Sequence, residues 1–335
     1  MHVDVGMWGK ALRIIPRISK EEWAQLDVVS RWLISTRAAV LIMTFLSAAI
    51  AGLLAFQDGR FHAGYWLLMA LGLVLAHATN NLLNDYTDYV RGVDQDNYYR
   101  AQYGPQPLVH GLMSRRELLI YAAVTGALAL ACGLALVALR GGLTLLLLAL
   151  GAFFVLFYTW PLKGAALGEL AVLIVWGPLM IGGGYYVVTG AWSWNAVLAG
   201  LPYALGVTTV IFGKHIDKLE MDRAKGIHTL PAVLGERVSR GAVVAMMLLQ
   251  YALTLYLVVV GYFTPVMLVV FLALPTFLRR ILPLFAAPKP AEKPADFPDV
   301  WPNYFVAAAF YHNRLFGLWF LLGLVLNAAL AAWLR

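Results

Sequence analysis

The sequence has few charged residues and almost no cysteine. Asp, Glu, Lys and Arg make up only 13% of the 335 residues, whereas soluble domains carry about 25%. A disordered chain is therefore excluded. Cys132 is the single cysteine and lies in an apolar run, which excludes an intrachain disulfide and a CxxC metal site.

Hydrophobic residues dominate instead, at 61% of the chain. A soluble protein of this length could not bury so much apolar surface, so we predict an all-α, polytopic membrane protein. Nine apolar segments are predicted to span the bilayer, at residues 36–56, 64–84, 117–139, 142–161, 167–189, 196–213, 238–261, 264–284 and 303–333. Each is long enough to cross about 30 Å of hydrocarbon as a helix.

Two regions are predicted along the chain. Residues 1–35 form an N-terminal cytoplasmic or interfacial segment, because Lys10, Arg13 and Arg17 alternate there with apolar residues. The acidic residues of this segment also leave no apolar core for a cleavable signal peptide. Residues 36–335 form the transmembrane domain.

The basic residues predict the orientation. Of the 25 Lys and Arg residues, all but four lie before the first span, in loops on one side of the predicted membrane, or in the span ends next to those loops; the exceptions are Arg60, Arg140, Arg314 and Arg335. The positive-inside rule places the N-terminus and the basic loops in the cytoplasm. The net charge of +7 is then explained by these loops, and we expect a lipid bilayer and no nucleic acid as partner.

A polar stripe interrupts the end of the second span. Its members, spaced as one face of a helix, are His77, Asn81, Asn84 and Asp88. Lipid disfavours such a stripe, so it is predicted to face the protein interior. Asp85 lies about one turn before Asp88, and Gly92 permits a turn that returns Asp94 to the cluster. Carboxylate and amide oxygens are the ligands that Mg²⁺ prefers.

A second charged cluster follows the sixth span, over residues 214–230. Four spans separate the two clusters, so both are predicted to face the cytoplasm and to line one cavity for a magnesium–diphosphate group. The alternative is ordinary ion pairing, of Asp217 with Lys214 and of Glu220 with Arg223. The residues alone leave both interpretations open.

Four motifs, in this order, resemble the UbiA superfamily of intramembrane prenyltransferases, and its MenA-type branch most closely. They are NDYTDYVRGVD at residues 84–94, PLVHGLMS at 107–114, YTWPLK at 158–163 followed by LGEL at 167–170, and DRAKGIHTL at 222–230. The first and last are similar to the two Asp-rich motifs of that family.

The resemblance implies a UbiA-like bundle with an active-site cap on the cytoplasmic side. It also implies Mg²⁺-dependent transfer of a polyprenyl chain from prenyl diphosphate to an aromatic acceptor, a quinone precursor such as 1,4-dihydroxy-2-naphthoate in menaquinone synthesis. The implied catalytic residues are Asn84, Asp85, Asp88, Asp94, Asp217 and Asp222, of which all except Asp85 are implied metal ligands. The implied diphosphate-binding residues are Lys163, Arg100, Lys218, Arg91 and Arg223.

The chain departs from the family pattern in the second Asp-rich motif, the one whose last Asp is Asp222. The family usually has Asp four residues before the last Asp, where this chain has Lys218. We hypothesise that Lys218 binds diphosphate directly in place of one Mg²⁺. Other acceptors (a phenolic acid, a heme, a chlorophyllide, glycerol phosphate or a phosphoribosyl sugar), a catalytically dead relative and a secondary transporter are the alternatives.

Overall fold

The computed structural model describes residues 3–93, 104–298 and 300–333. Within these ranges it has nine helices long and apolar enough to span a membrane, which confirms the predicted fold class. Three short helices precede them: α1 (Val5–Arg13), α2 (Lys20–Gln25) and α3 (Val28–Ser35). The first four spans are α4 (Ala38–Gln57), α5 (Ala63–Val90), α6 (Arg115–Arg140) and α7 (Gly142–Leu162).

The remaining helices alternate between spans and short connecting elements. The spans are α8 (Gly168–Thr189), α9 (Trp194–Asp217), α12 (Glu236–Val259), α13 (Pro265–Ala286) and α14 (Phe305–Trp333). The short helices α10 (Leu219–Ala224) and α11 (Leu230–Leu234) connect α9 to α12. The largest difference from prediction is in α5, which continues past residue 84 to Val90 and so carries the whole polar stripe on one helix.

The chain folds into two compact units. The first unit comprises residues 1–46 and 68–161, and the second comprises residues 47–67 and 162–335. Helices α4 and α5 each contribute residues to both units.

In the first unit, the N-terminal helices pack into a shared apolar core with α4, α5 and α6. Its buried members include Ala11, Trp23, Leu33, Leu41, Leu82, Met113 and Leu118. Burial of these side chains holds the N-terminal segment on the helical core by the hydrophobic effect. Val5, Leu12 and Ile14 stay exposed, so this segment has one face in the protein core and a second, exposed apolar face.

Two local signals shape the first unit further along the chain. Ser114 and Glu117 form a reciprocal capping box that starts α6, satisfying backbone N–H groups at the helix N-terminus. Helix α7 breaks at Trp160, whose backbone is extended (φ −148°, ψ 130°). This break is expected because Pro161 disfavours helical geometry in the residue before it.

In the second unit, α9 packs closely against α8 and α14 through glycines. A Cβ at Gly206 would lie 2.3 Å from Asn313 Oδ1, and one at Gly213 would lie 2.8 Å from the backbone of Phe305. Small residues of this kind allow helix backbones to approach within a membrane. The close contact fixes the position of the C-terminal end of α9 relative to the start of α14.

Candidate active site

The polar stripe of α5 is buried in the first unit. Asn81, Asn84 and Asp85 are each less than 9% exposed, and Asp88 lies one turn beyond Asn84 with partial exposure. His77 Nδ1 lies 2.8 Å from the Thr44 hydroxyl. The predicted interior orientation of the stripe therefore agrees with the structure.

Arg37 organises this stripe, and the sequence did not identify it as a site residue. Its guanidinium forms an ion pair with Asp85, and it donates to Asn84 Oδ1 at 3.3 Å and to the Asn81 carbonyl at 3.2 Å. The backbone of Arg37 has a positive φ of 55°, which is uncommon for a residue other than glycine. A lone arginine at the start of an apolar segment was the available sequence signal.

The amide groups of the stripe have fixed orientations. Asn84 Nδ2 donates to the Thr159 hydroxyl at 2.9 Å, while its Oδ1 accepts from Arg37. Asn81 Nδ2 donates to the Thr36 carbonyl at 2.8 Å. Because Thr159 belongs to the YTWPLK motif, its contact with Asn84 joins two of the four motifs named above.

The C-terminal end of α5 turns at Gly92, as predicted. Gly92 has a φ of 69°, and the Val93 N–H donates to the Asp88 carbonyl at 2.9 Å. The Arg91 guanidinium lies 5.2 Å from the centroid of the Trp160 ring, a cation–π distance. The predicted site residues Asp94 and Arg100 lie outside the described residues.

The second unit has its own charged cluster, built from three stretches of chain. Lys163 follows α7 and is buried. An isolated parallel bridge between Ala165 and His228 joins the Lys163 loop to the segment that leads into Thr229. The ends of α9 and α10 supply the remaining members of the cluster.

Lys218 and Asp222 form a buried ion pair in this cluster. Lys218 Nζ lies 2.9 Å from Asp222 Oδ1, and the Thr229 hydroxyl lies 3.4 Å from the other oxygen, Asp222 Oδ2. Asp222 is fully buried and Lys218 is 4% exposed. The i, i+4 spacing gives this pair its geometry, since α10 begins directly after Lys218.

A second buried pair in the same cluster is formed by His215 and Glu169. His215 Nδ1 contacts Glu169 Oε1, and both residues are 1% exposed. His215 Nε2 and Glu169 Oε2 are buried atoms without a hydrogen-bond partner. Glu169 lies in the LGEL motif, but its pairing with His215 was not predicted, because the two residues are 46 positions apart.

Asp217 contacts the start of α14 and the segment before it. Its carboxylate accepts from the backbone N–H of Phe305 at 3.0 Å and of Val306 at 2.9 Å, and it lies 3.4 Å from Lys289 Nζ. These contacts cap the N-terminus of α14. The structure thus gives Asp217 a capping role with Lys289 as its ion-pair partner, a placement that does not favour the implied metal-ligand role.

Arg223 also has a structural environment. Its Nε and Nη2 atoms donate to the Ala232 carbonyl at 3.1 and 3.0 Å, and Nη1 lies 3.4 Å from Glu220 Oε1. The predicted Glu220–Arg223 pair is therefore present. The guanidinium secures α11, and this placement does not favour the implied role in diphosphate binding.

The described residues contain no group of three or more His, Cys, Asp and Glu side chains arranged to hold a metal ion. The oxygen donors of the α5 stripe come instead from a mixed set of amide and carboxylate groups on a single helix. Such a set suits a hard cation that takes several of its ligands from water and a bound phosphate.

An all-helical membrane protein with buried, polar, carboxylate-bearing helix ends is the class that this geometry defines. The chain belongs to the UbiA prenyltransferase family, whose model matches residues 44–313. It is a prenyltransferase by that membership, and the transporter alternative is set aside.

Curated relatives cover most of the chain at low identity. The UbiA prenyltransferase domain-containing protein 1 of Ailuropoda melanoleuca is 24% identical over 345 residues, covering 97% of this chain and 92% of the relative. The 1,4-dihydroxy-2-naphthoate octaprenyltransferase of Escherichia coli (strain K12) is 28% identical over 225 residues, covering 63% of this chain and 71% of the relative.

A solved structure of a UbiA homologue from Archaeoglobus fulgidus, bound to GPP and Mg²⁺, has a similar fold. The TM-score is 0.55 at 17% identity, and the match covers 88% of this chain and 99% of that one. At this identity the likeness supports the fold alone.

Proposed function

We propose that this protein transfers a polyprenyl chain from prenyl diphosphate to an aromatic acceptor, with Mg²⁺ as cofactor. The acceptor we propose is a quinone precursor such as 1,4-dihydroxy-2-naphthoate. The observation that carries the proposal is the buried α5 cluster, in which Arg37 orients Asn84 and pairs with Asp85. A charged, hydrogen-bonded cluster in an apolar helix is costly to bury and is typical of a functional site.

The comparisons support this choice in two ways. A relative of 28% identity is named for octaprenyl transfer to 1,4-dihydroxy-2-naphthoate, and a structural neighbour contains GPP and Mg²⁺. We infer that the donor of this chain is also an allylic prenyl diphosphate.

Residues of α5 fit the magnesium-binding part of the proposal. Asn84 and Asp88, four positions apart on one helix, present oxygen donors of the type that Mg²⁺ binds. We propose these two residues as ligands, with Asp94 as a further ligand. We leave Asp217 out of the ligand set because it caps α14. When bound, Mg²⁺ stabilises negative charge on the departing diphosphate as a Lewis acid.

The side chains of the protein have three tasks in the reaction. Arg37 and Thr159 hold the amide of Asn84 in one orientation, which avoids reorganisation when the donor binds. Lys163 and Lys218, together with Arg91 and Arg100, supply fixed positive charge for the diphosphate. The apolar helices exclude water from the allylic cation.

The covalent change is a substitution at C1 of the prenyl chain. The bond between C1 and the diphosphate oxygen breaks, and its electron pair leaves with the diphosphate. A carbon of the electron-rich acceptor ring then forms a bond to C1 and loses a proton. The lipid-soluble product is expected to leave directly into the bilayer.

The proposal is tested with purified protein in lipid nanodiscs. Mg²⁺, geranylgeranyl diphosphate or a longer donor, and a panel of naphthoate, phenolic, tetrapyrrole and glycerol phosphate acceptors are supplied, and the lipids are analysed by mass spectrometry. Product with the naphthoate and its loss on chelation of Mg²⁺ are expected. Product with a different acceptor only would contradict the proposed acceptor and keep the enzyme class.

The first prediction concerns Asp88. Asp88→Asn keeps the size of the side chain and removes its charge, so we expect turnover to fall by about 100-fold or more, the usual effect of losing one electrostatic group at a transition state. Asp296→Asn, on the exposed loop before α14, is the matched control and should leave turnover unchanged. Full activity of the Asp88→Asn protein would show that Asp88 is not a ligand.

A further inference from the structure

The two polar segments differ in how their acidic residues are used. In the segment at residues 214–222, Asp217 is committed to the N-terminus of α14. Glu220 is 84% exposed at its side chain and contacts Arg223. Asp222 is thus the one acidic residue of this segment that remains inside the charged cluster of the second unit.

Asp222 is already paired with a positive charge of the chain itself, the ammonium group of Lys218. Lys218 Nζ lies 2.9 Å from one carboxylate oxygen, and the Thr229 hydroxyl lies 3.4 Å from the other. A divalent ion bound to Asp222 would lie within a few ångströms of the Lys218 ammonium. Two positive charges at about 4 Å repel each other strongly in an environment of low dielectric constant.

Burial makes this pairing stable without a metal. Asp222 is fully buried and Lys218 is 4% exposed, and a buried carboxylate is tolerated only with a compensating charge. The neighbouring acid Glu169 is likewise hydrogen-bonded within the chain, to His215. Both buried acids of this cluster are therefore held by partners that belong to the chain itself.

We propose that the tethered ammonium of Lys218 takes the place of a metal ion in the segment at residues 214–222, so that this segment binds the donor diphosphate without a metal of its own. An ammonium binds phosphate oxygens directly as a compact positive charge. Asp222 holds this charge in position, which lowers the conformational entropy that Lys218 loses on binding. The inference rests on the proposed function. It specifies that the segment at residues 214–222 uses an ammonium group where a metal ion would otherwise bind.

The test uses the full-length protein in nanodiscs with inorganic pyrophosphate as the probe. Pyrophosphate affinity is measured by calorimetry with EDTA present, and the number of Mn²⁺ ions bound per chain with pyrophosphate is counted by electron paramagnetic resonance. We expect the wild-type protein to bind pyrophosphate in EDTA. Lys218→Met should weaken this binding by about tenfold or more, as expected for the loss of one charge-assisted hydrogen bond.

A double variant keeps the test informative if Lys218→Met alone does not fold. Lys218→Met with Asp222→Asn removes both charges and leaves neither buried without a partner. It should show the same weakened binding in EDTA and the same Mn²⁺ count as the wild-type protein. Arg237→Met, which removes an exposed positive charge from the first turn of α12, is the control and should change neither quantity.

Lys218→Asp provides the converse result. It places carboxylates at positions 218 and 222, four residues apart, and should raise the Mn²⁺ count by one per chain. A lower Mn²⁺ count in the double variant, an unchanged count in Lys218→Asp, or unweakened pyrophosphate binding in the double variant would overturn the inference.

The outcomes also separate this inference from the proposed function. If the wild-type protein binds pyrophosphate only when a metal is present, the inference is wrong and the prenyl transfer proposal stands. If it binds pyrophosphate under neither condition and forms no prenyl product, both are wrong.

Discussion

The two clusters contain three buried pairs of charged or polar side chains. Arg37 pairs with Asp85, His215 with Glu169 and Lys218 with Asp222. Removing a charge from water costs several kcal/mol, and the partner offsets this cost only when both members are present. These pairs therefore set the local electrostatics more than they contribute net stability.

Periodicity predicted which residues of α5 face inward, because a helical stripe is a property of one segment. It could not predict the partner of Asp85, since Arg37 is 48 positions away and pairing between segments depends on how helices pack. For the same reason, the sequence did not predict the Glu169–His215 pair. The Lys218–Asp222 contact was predictable as a shared face because its members lie one turn apart.

The Glu169–His215 pair allows a prediction about stability. Glu169→Leu should lower the free energy of unfolding by about 1–3 kcal/mol, because it leaves the buried His215 imidazole without its hydrogen-bond partner. The double variant Glu169→Leu with His215→Leu should lose much less, since no polar group is stranded. Thermal unfolding in detergent, followed by tryptophan fluorescence, measures both. Additive losses in the double-mutant cycle would show that the two residues do not interact.

A break between α9 and α10 separates Asp217 from Asp222, the two implied acidic ligands of the second Asp-rich motif. Asp217 and Asp222 are five positions apart, which places them about 140° apart on an ideal helix. Lys218 interrupts the helix (φ −111°, ψ 14°). Asp217 then contacts the start of α14, whereas Asp222 contacts Lys218 and Thr229. The spacing of the two acids therefore indicates different helix faces. It could not predict that Asp217 caps a helix 88 positions away.

The capping contact predicts a specific behaviour for Asp217. Asp217→Ala should lower the free energy of unfolding by about 2 kcal/mol, because two backbone N–H groups at the start of α14 lose a charged acceptor. The apparent Mg²⁺ affinity in the prenyl transfer assay should stay unchanged. Asp296→Ala is the control for both measurements. A large loss of Mg²⁺ affinity with normal stability would restore Asp217 as a metal ligand.

Helix α3 is capped by Asp27, whose carboxyl group is also held by hydrogen bonds. Burial of the Asp27 carboxyl opposes its ionisation, but hydrogen bonds from the Ser30 hydroxyl at 2.6 Å, the Ser30 N–H at 2.9 Å, the Asp4 N–H and the Trp8 indole outweigh this effect. The pKa of Asp27 is therefore lowered. A lowered pKa in the folded state contributes stability that is present above the unfolded value of about 3.9 and is lost as the pH falls.

We therefore expect the N-terminal helices to loosen on acidification. Hydrogen exchange of residues 5–35 should accelerate as the pH is lowered through about 4 and below, after correction for intrinsic rates. Asp27→Asn should be less protected at neutral pH and should lose most of this pH dependence. An Asp27→Asn protein with the same pH profile as the wild-type protein would show that another group is responsible.

At the scale of the whole molecule, hydrophobicity and length were sufficient to locate all nine spans that the described residues contain, because a helix in lipid must satisfy its own backbone hydrogen bonds. The division into two compact units, with α4 and α5 contributing to both, has no counterpart in composition or periodicity. It depends on which residues of a long helix pack together, and that information lies in side-chain shape.

The orientation of the spans is the remaining whole-molecule prediction. We propose a cytoplasmic N-terminus, because all but four of the 25 basic residues lie on that side of the predicted topology. The single native cysteine makes this testable by labelling. In a Cys132→Ala background, Glu220→Cys marks the exposed first turn of α10, between α9 and α12, and Asn195→Cys marks the exposed first turn of α9.

A membrane-impermeant maleimide added to intact cells should modify the Asn195→Cys variant and leave the Glu220→Cys variant unlabelled, whereas both should react after the membrane is permeabilised. Cys132→Ala alone should remain unlabelled throughout, which controls for background reaction. The reversed pattern would place the basic loops outside, contrary to the positive-inside rule. It would also require the diphosphate donor to be supplied from the outer side, so this labelling result bears directly on where the reaction takes place.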